Sequence, residues 1–162
     1  MKWSKLKQMT EDRFADSVKG HVEIFSTRYA NSSTGRGWIT IDKEEIVDFS
    51  TMNSVKVHRR YYNETTDTTY ATHPATKNDE RTEGQIMEEG EFSRFDLHVC
   101  CWEFLSMTVE DGLKHPSAIV NSLAILDKRL GKRRLTEIND NDLHPLTKKL
   151  LDFRLLKDGL KK

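Results

Sequence analysis

Leucine is almost confined to one half of this chain. One leucine, Leu6, stands before Asp96, and fourteen follow from Leu97 onward. Threonine runs the other way, with twelve up to Asp96 and three after it. Threonine is β-branched and suits strands and turns, whereas leucine suits helix interiors. A sheet therefore belongs in the first half and helices in the second. Strands grouped before helices, without βαβ alternation, indicate an α+β fold. The expected order is an N-terminal helix, a three-stranded antiparallel β-meander, and a C-terminal helical half packed on the sheet. At 162 residues the chain suits one domain, with a core large enough to need no staples. Its parts are 1–62 (helix and meander), 63–78 (polar loop) and 79–162 (helical half).

Ser4 is placed to cap the first helix, with Leu6, Met9, Arg13 and Phe14 at helical spacing and Trp3 before the cap. After Gly20, residues 21–29 are rich in β-formers, with Val22, Ile24 and Ser26 on one face. Asn31 to Gly35 is a turn cluster, and Gly37 to Asp42 reads as the returning strand. A tight polar turn at Asp42-Lys43-Glu44 leads into Glu45 to Ser50. Residues 51–62 fit either a helix or a fourth strand, with a helix preferred. Gly90 stands where a C-terminal cap glycine would close the acidic stretch from Asp79 to Glu89.

In the helical half, Phe92, Phe95, Val99, Trp102 and Leu105 form one apolar stripe, and Leu97, Cys101 and Phe104 lie elsewhere around the same helix. A helix apolar nearly all round is expected at the centre of a fold. Thr108 to Asp111 resembles a helix start, and Pro116 suits a first helical position. Ile119, Leu123, Leu126 and Leu130 form a further stripe. It ends at Gly131, for which a left-handed capping conformation is expected, with Lys128 and Arg129 on the last helical turn and Leu130 and Leu135 anchoring the turn in the core. Pro145 opens the last helix.

The densest charge cluster is Lys128, Arg129, Lys132, Arg133 and Arg134. Read functionally, it is a surface for a protein partner, an acidic one fitting best; read structurally, it is a set of cations complementing a helix C-terminus. Nucleic acid is the alternative partner, with Lys148 and Lys149 assisting. Net charge is zero, with 26 basic and 26 acidic residues, so no global field favours a polyanion. No run of apolar residues is long enough to span a membrane, and no membrane partner is expected. A homo-oligomer stays open.

Other constellations are sparse. Arg36-Gly37-Trp38 permits a ligand-facing edge with a cation–π contact, or a tryptophan anchoring the sheet to a helix, the latter preferred. His98 and Cys101 lie one helical turn apart, but no second ligand pair accompanies them, so no metal and no cofactor is expected. Adjacent Cys100 and Cys101 read as buried free thiols in a reducing cytoplasm. Asp96, His98 and Glu103 are the best candidates for acid–base chemistry, and Asp96 and Glu103 share a helical face. Salt bridges to Arg133 or Arg134 are the competing expectation for that pair. With no catalytic motif visible, no catalytic residue is assigned. A non-enzymatic binding protein is the leading reading, and an enzyme with a carboxylate site the third.

The opening Trp3-Ser4-Lys5-Leu6-Lys7, the segment Arg36-Gly37-Trp38-Ile39-Thr40-Ile41-Asp42, and Asp127-Lys128-Arg129-Leu130-Gly131-Lys132-Arg133-Arg134-Leu135 are ordered along most of the chain. In these segments the sequence resembles a family of short, functionally uncharacterised bacterial proteins. The resemblance implies a bacterial, cytoplasmic source and carries no activity, cofactor or catalytic residue with it.

Overall fold

A computed structural model describes residues 1–30, 34–50, 86–87 and 90–161. The expected segments 51–62 and 63–78, and the acidic stretch before Ile86, lie outside the described residues. Helix α1 (Trp3–Glu11) leads into strands β1 (Val22–Arg28), β2 (Gly35–Ile41) and β3 (Glu44–Ser50). Helices α2 (Arg94–Ser106), α3 (Val109–Leu113), α4 (Ala118–Leu126), α5 (Lys132–Thr136) and α6 (Pro145–Lys157) follow. The layout is the α+β one expected from the leucine and threonine split.

The sheet is an antiparallel meander in the order β1-β2-β3. Phe25 pairs with Trp38, and Ile24 with Ile39. The β2–β3 turn is tight because Asp42 and Lys43 both take positive φ, 49° and 71°. That is the twist a two-residue hairpin needs. Val22, Ile24, Ile39, Val47 and Phe49 are buried on one sheet face. Gly37 lies on the same face, and a Cβ there would stand 2.7 Å from the Leu97 side chain. Glycine at this position lets α2 approach the sheet. The other face carries Trp38 stacked on Phe25 at 5.1 Å, with the Arg36 guanidinium 4.5 Å above the indole. Thus Gly37 meets the helix, and Trp38, only partly buried, takes the cation–π arrangement on the opposite face.

Two helix starts differ from expectation. Lys2, with extended backbone, caps α1, so Ser4 lies inside the helix. Its carbonyl accepts from the amides of Lys5 and Leu6, which fixes the start two residues earlier. Helix α4 begins at Ala118 behind Ser117, so Pro116 precedes the cap. Two other starts, those of α3 and α6, fall where the sequence puts them, whereas α2 starts at Arg94 and leaves Phe92 outside the helix. Ser93 and Asp96 form a reciprocal capping box on α2. Thr108 caps α3 through the Asp111 amide. Pro145 occupies the first turn of α6.

The central helix is α2, but the stripe read from the sequence is not its core face. Leu97, Cys100, Cys101 and Phe104 are buried, while Phe95, Val99 and Trp102 are exposed. Both sets satisfy helical spacing, and periodicity alone does not choose between two apolar faces.

The largest correction concerns Gly131. Helix α4 ends at Leu126, four residues early, and Asp127 leaves it with extended backbone. Gly131 has φ −69° and serves as the N-cap of α5, so it is neither left-handed nor a C-cap. The cause is buried Arg154 on α6. Its guanidinium donates to the carbonyl of Ile125, to Asp127 O at 2.8 Å and to Leu130 O at 2.6 Å. Asp158 receives its Nε at 3.4 Å. A side chain from another helix thus performs the capping that a glycine would otherwise perform. Leu130 and Leu135 are both buried on either side of the turn, as expected.

This assignment separates two substitutions. Gly131→Ala meets no atom within 4 Å at an ordinary φ, so it is expected to cost less than about 1 kcal/mol. Arg154→Ala leaves three buried carbonyls without their donor and is expected to cost on the order of 3–5 kcal/mol. Urea denaturation of both variants checks the order; an Arg154→Ala midpoint equal to that of Gly131→Ala refutes the capping role.

Candidate functional site

The basic segment is a surface loop with a built interior. Asp127 is fully buried, and its carboxylate takes the Arg129 amide at 2.8 Å and the Arg129 side chain at 2.6–3.1 Å. The loop is also stitched to the end of α1. Ala15 donates to Leu126 O, and Lys128 N to Arg13 O, both at 2.8 Å. Arg154 holds it from the third side. Its backbone is therefore fixed by groups that are not its exposed cations.

Each of the five candidate cations is exposed and has a partner. Lys128 Nζ donates to Asp12 O at 2.9 Å, and Lys132 Nζ to Asp158 O at 3.1 Å. Arg133 pairs with Glu137 at 3.1 Å and Arg134 with Glu110 at 2.8 Å. Arg129 reaches Met107 O at 3.4 Å besides its contacts with Asp127. The segment spans the loop and the short helix α5, so Lys128 and Arg129 do not lie on the last turn of α4 as expected. Lys132 opens the five-residue helix α5, and Arg133 and Arg134 fall in its last turn. Neither Arg133 nor Arg134 meets Glu103.

The acid–base candidates of α2 are dispersed. Asp96 is fully buried, and its carboxylate accepts the Ser93 amide at 2.5 Å in the capping box. Burial pushes its pKa up to about 7, against the lowering effect of the Ser93 hydrogen bonds. Glu103 points at His115, 3.6 Å away. His98 lies in a separate cluster that the sequence reading missed. Its Nε2 is 2.9 Å from Ser26 Oγ on β1 and 3.2 Å from Arg94 Nη1, and its ring stacks on Trp3 of α1 at 4.5 Å. Burial, then the positive charges of Arg94 and Arg28, lower its pKa to about 4. The available signal was Ser26, a polar residue on the core face of a strand, opposite an Arg-x-x-x-His pair one helical turn apart. The cluster ties α1, β1 and α2 together through a neutral imidazole.

Cys100 and Cys101 are buried free thiols. Cys100 Sγ is 3.3 Å from Ser117 Oγ, and burial raises the Cys101 thiol to about 12. Among the described residues, no group of three His, Cys, Asp or Glu side chains is placed to hold a metal ion. Among those same residues, no helix is long and apolar enough to cross a membrane. A second buried pair joins His144, the N-cap of α6, to Glu91 at 2.6 Å.

Two expectations follow. Asp96, with its pKa raised from 3.8 to about 7, withdraws stability as pH rises through that range. His98, lowered from 6.5 to about 4, withdraws stability as pH falls through its own range. The two slopes are opposite and nearly cancel between their shared limits. In thermal melts at stepped pH, Asp96→Asn should acquire a rising stability from about pH 4 to 6.5, and His98→Gln a falling one, each by roughly 1.4 kcal/mol per unit at most. Parallel profiles for both variants and the native chain refute this. The thiols should remain unreactive toward a disulfide reagent in native buffer and react as two equivalents in denaturant; fast native labelling refutes that.

Residues 2–155 match the model of the SF0329 protein family, and the chain belongs to that family. No curated protein and no solved structure matches it.

Proposed function

We propose that this member of the SF0329 protein family is a non-enzymatic binding protein of the bacterial cytoplasm. In this reading it engages a protein partner through Lys128, Arg129, Lys132, Arg133 and Arg134. The observation that carries it is the rigid mounting of that segment. Buried Arg154 and Asp127 hold the loop, so the backbone that presents its exposed cations is ordered before binding. Buried unreactive thiols are compatible with a reducing compartment.

A protein partner is favoured over nucleic acid by what surrounds the cations. Asp127, Glu137 and Glu110 already pair with Arg129, Arg133 and Arg134. A polyphosphate approaching this surface meets the exposed carboxylates of Glu137 and Glu110 as well as the cations. A protein of mixed charge can instead exchange the exposed Arg133–Glu137 and Arg134–Glu110 pairs for intermolecular ones, which sets register as well as attraction.

The test compares the native chain with Lys128→Glu/Lys132→Glu/Arg133→Glu, using affinity capture from extract of the source cell. Specific partners are expected on the native chain and are expected to be lost on the reversed one. Identical partner sets refute the reading. Duplex and single-stranded oligonucleotides titrated at low salt are expected not to bind. Binding that falls about a thousandfold between roughly 50 and 200 mM salt transfers the assignment to nucleic acid.

A further inference from the structure

Strand β1 is an outer strand of the sheet, and two side chains of α1 close its outer side at one point. Asp42 N donates to His21 O at 2.8 Å on the side facing β2, and the bonding direction alternates along a strand. Val22, Ile24, Ser26 and Arg28 therefore aim their amide and carbonyl groups away from β2. Such a row is a template for pairing with another chain.

Here the row is interrupted. Val22 N donates to Val18 O at 2.9 Å. Ile24 N donates to Glu11 Oε1 at 2.9 Å, and Lys7 Nζ donates to Ile24 O at 2.9 Å. The two side chains meet each other at 2.5 Å. Lys7 and Glu11 stand four residues apart on α1, hence on one face of it. Together they offer Ile24 one acceptor and one donor, as a neighbouring strand would. Glu23 at 4.0 Å and the Phe25 ring at 4.3 Å hold the Lys7 ammonium from the sheet side. Past Ile24 the edge is open. Among the described residues, no group bonds Ser26 N, Ser26 O or Arg28 N, and Arg28 O receives only Thr27 Oγ1 at 3.4 Å.

The two side chains decide how long that open edge is. With them in place it runs from Ser26 to Arg28; without them it runs from Ile24 to Arg28. The longer stretch reaches the common strand length of about 5–6 residues, and the shorter one stays at the lower limit. The longer edge is also complementary to itself. Turned about Ser26, two antiparallel copies set Ile24 of one opposite Arg28 of the other, twice over, which is an isologous contact. We propose that the Lys7–Glu11 pair is an autoinhibitory plug on β1. It takes the hydrogen-bonding places of a neighbouring strand at Ile24 and keeps β1 from pairing with the β1 of a second copy. This inference is independent of the basic segment and of any partner bound there.

The test compares the full native chain with three variants. Lys7→Ala/Glu11→Ala removes the plug. Glu11→Gln keeps an acceptor for the Ile24 amide. The third adds Arg28→Pro to the double variant and so removes one outward donor from the edge. Light scattering over a concentration series reads self-association, and far-UV dichroism with a thermal melt shows that each variant is folded. The double variant is expected to associate at concentrations at least about tenfold below any at which the native chain does. Glu11→Gln is expected to follow the native chain, and Arg28→Pro to reverse the association. Equal masses for the native chain and the double variant at every concentration overturn the proposal. So does association that persists with Arg28→Pro. Amide exchange on the native chain alone is the second arm, and it decides the matter should the double variant not fold. The Ile24 amide is expected to exchange at least about a hundredfold more slowly than the Ser26 amide. Equal rates overturn the plug, because the edge is then covered at both residues or at neither.

Discussion

One buried guanidinium decides how the second half of this protein is put together. Arg154 reaches from α6 to the carbonyls of Ile125, Asp127 and Leu130, and these are the groups left over where α4 stops. Burying an arginine is costly unless its donors are used, and unpaired carbonyls are costly on the same ground. Joined, the two requirements satisfy each other. The same contact ends α4, frees Asp127 to hold Arg129, and fixes the loop that carries Lys128 and Lys132. The candidate surface therefore derives its shape from a residue that takes no part in it.

The architecture was legible because it is written in composition and punctuation. The leucine boundary at Leu97 separated sheet from helices. Thr108 and Pro145 marked helix starts with groups whose chemistry is local. The Asp42-Lys43 turn was visible for the same reason. What was not legible depends on partners distant in the chain. Gly131 follows an apolar stripe and looks like a cap until Arg154, 23 residues later, supplies the capping donors. The stripe Phe95-Val99-Trp102 looks like a core face until Gly37 and its neighbours on β2 draw Leu97 inward instead. Ser26 and His98 are 72 positions apart, and no spacing rule joins them.

The charged segment shows how a sequence signal can be right in place and wrong in cause. Five cations in seven residues do stand on the surface, but as a loop and a helix start. Glu137 and Glu110 pair there with Arg133 and Arg134. Asp96 and His98 show the converse. Each is a candidate for acid–base chemistry by type, yet Asp96 works as half of a capping box and His98 as a neutral joint between three elements.

The stitch between Arg13–Ala15 and Leu126–Lys128 has a consequence for synthesis. Chain segments more than 110 residues apart must meet before either end of the fold is closed. The sheet is complete in sequence by Ser50, while the helices that bury Val22, Ile24 and Ile39 begin at Arg94 and are locked by Arg154. At about 5–20 residues per second, roughly 5–20 s pass between the last strand residue and that lock leaving the ribosome. Throughout that interval the apolar face of the meander lacks the cover that α2 and the later helices give it. The nascent chain is then most exposed to the wrong neighbour, and a trigger-type holding chaperone has the most to bind.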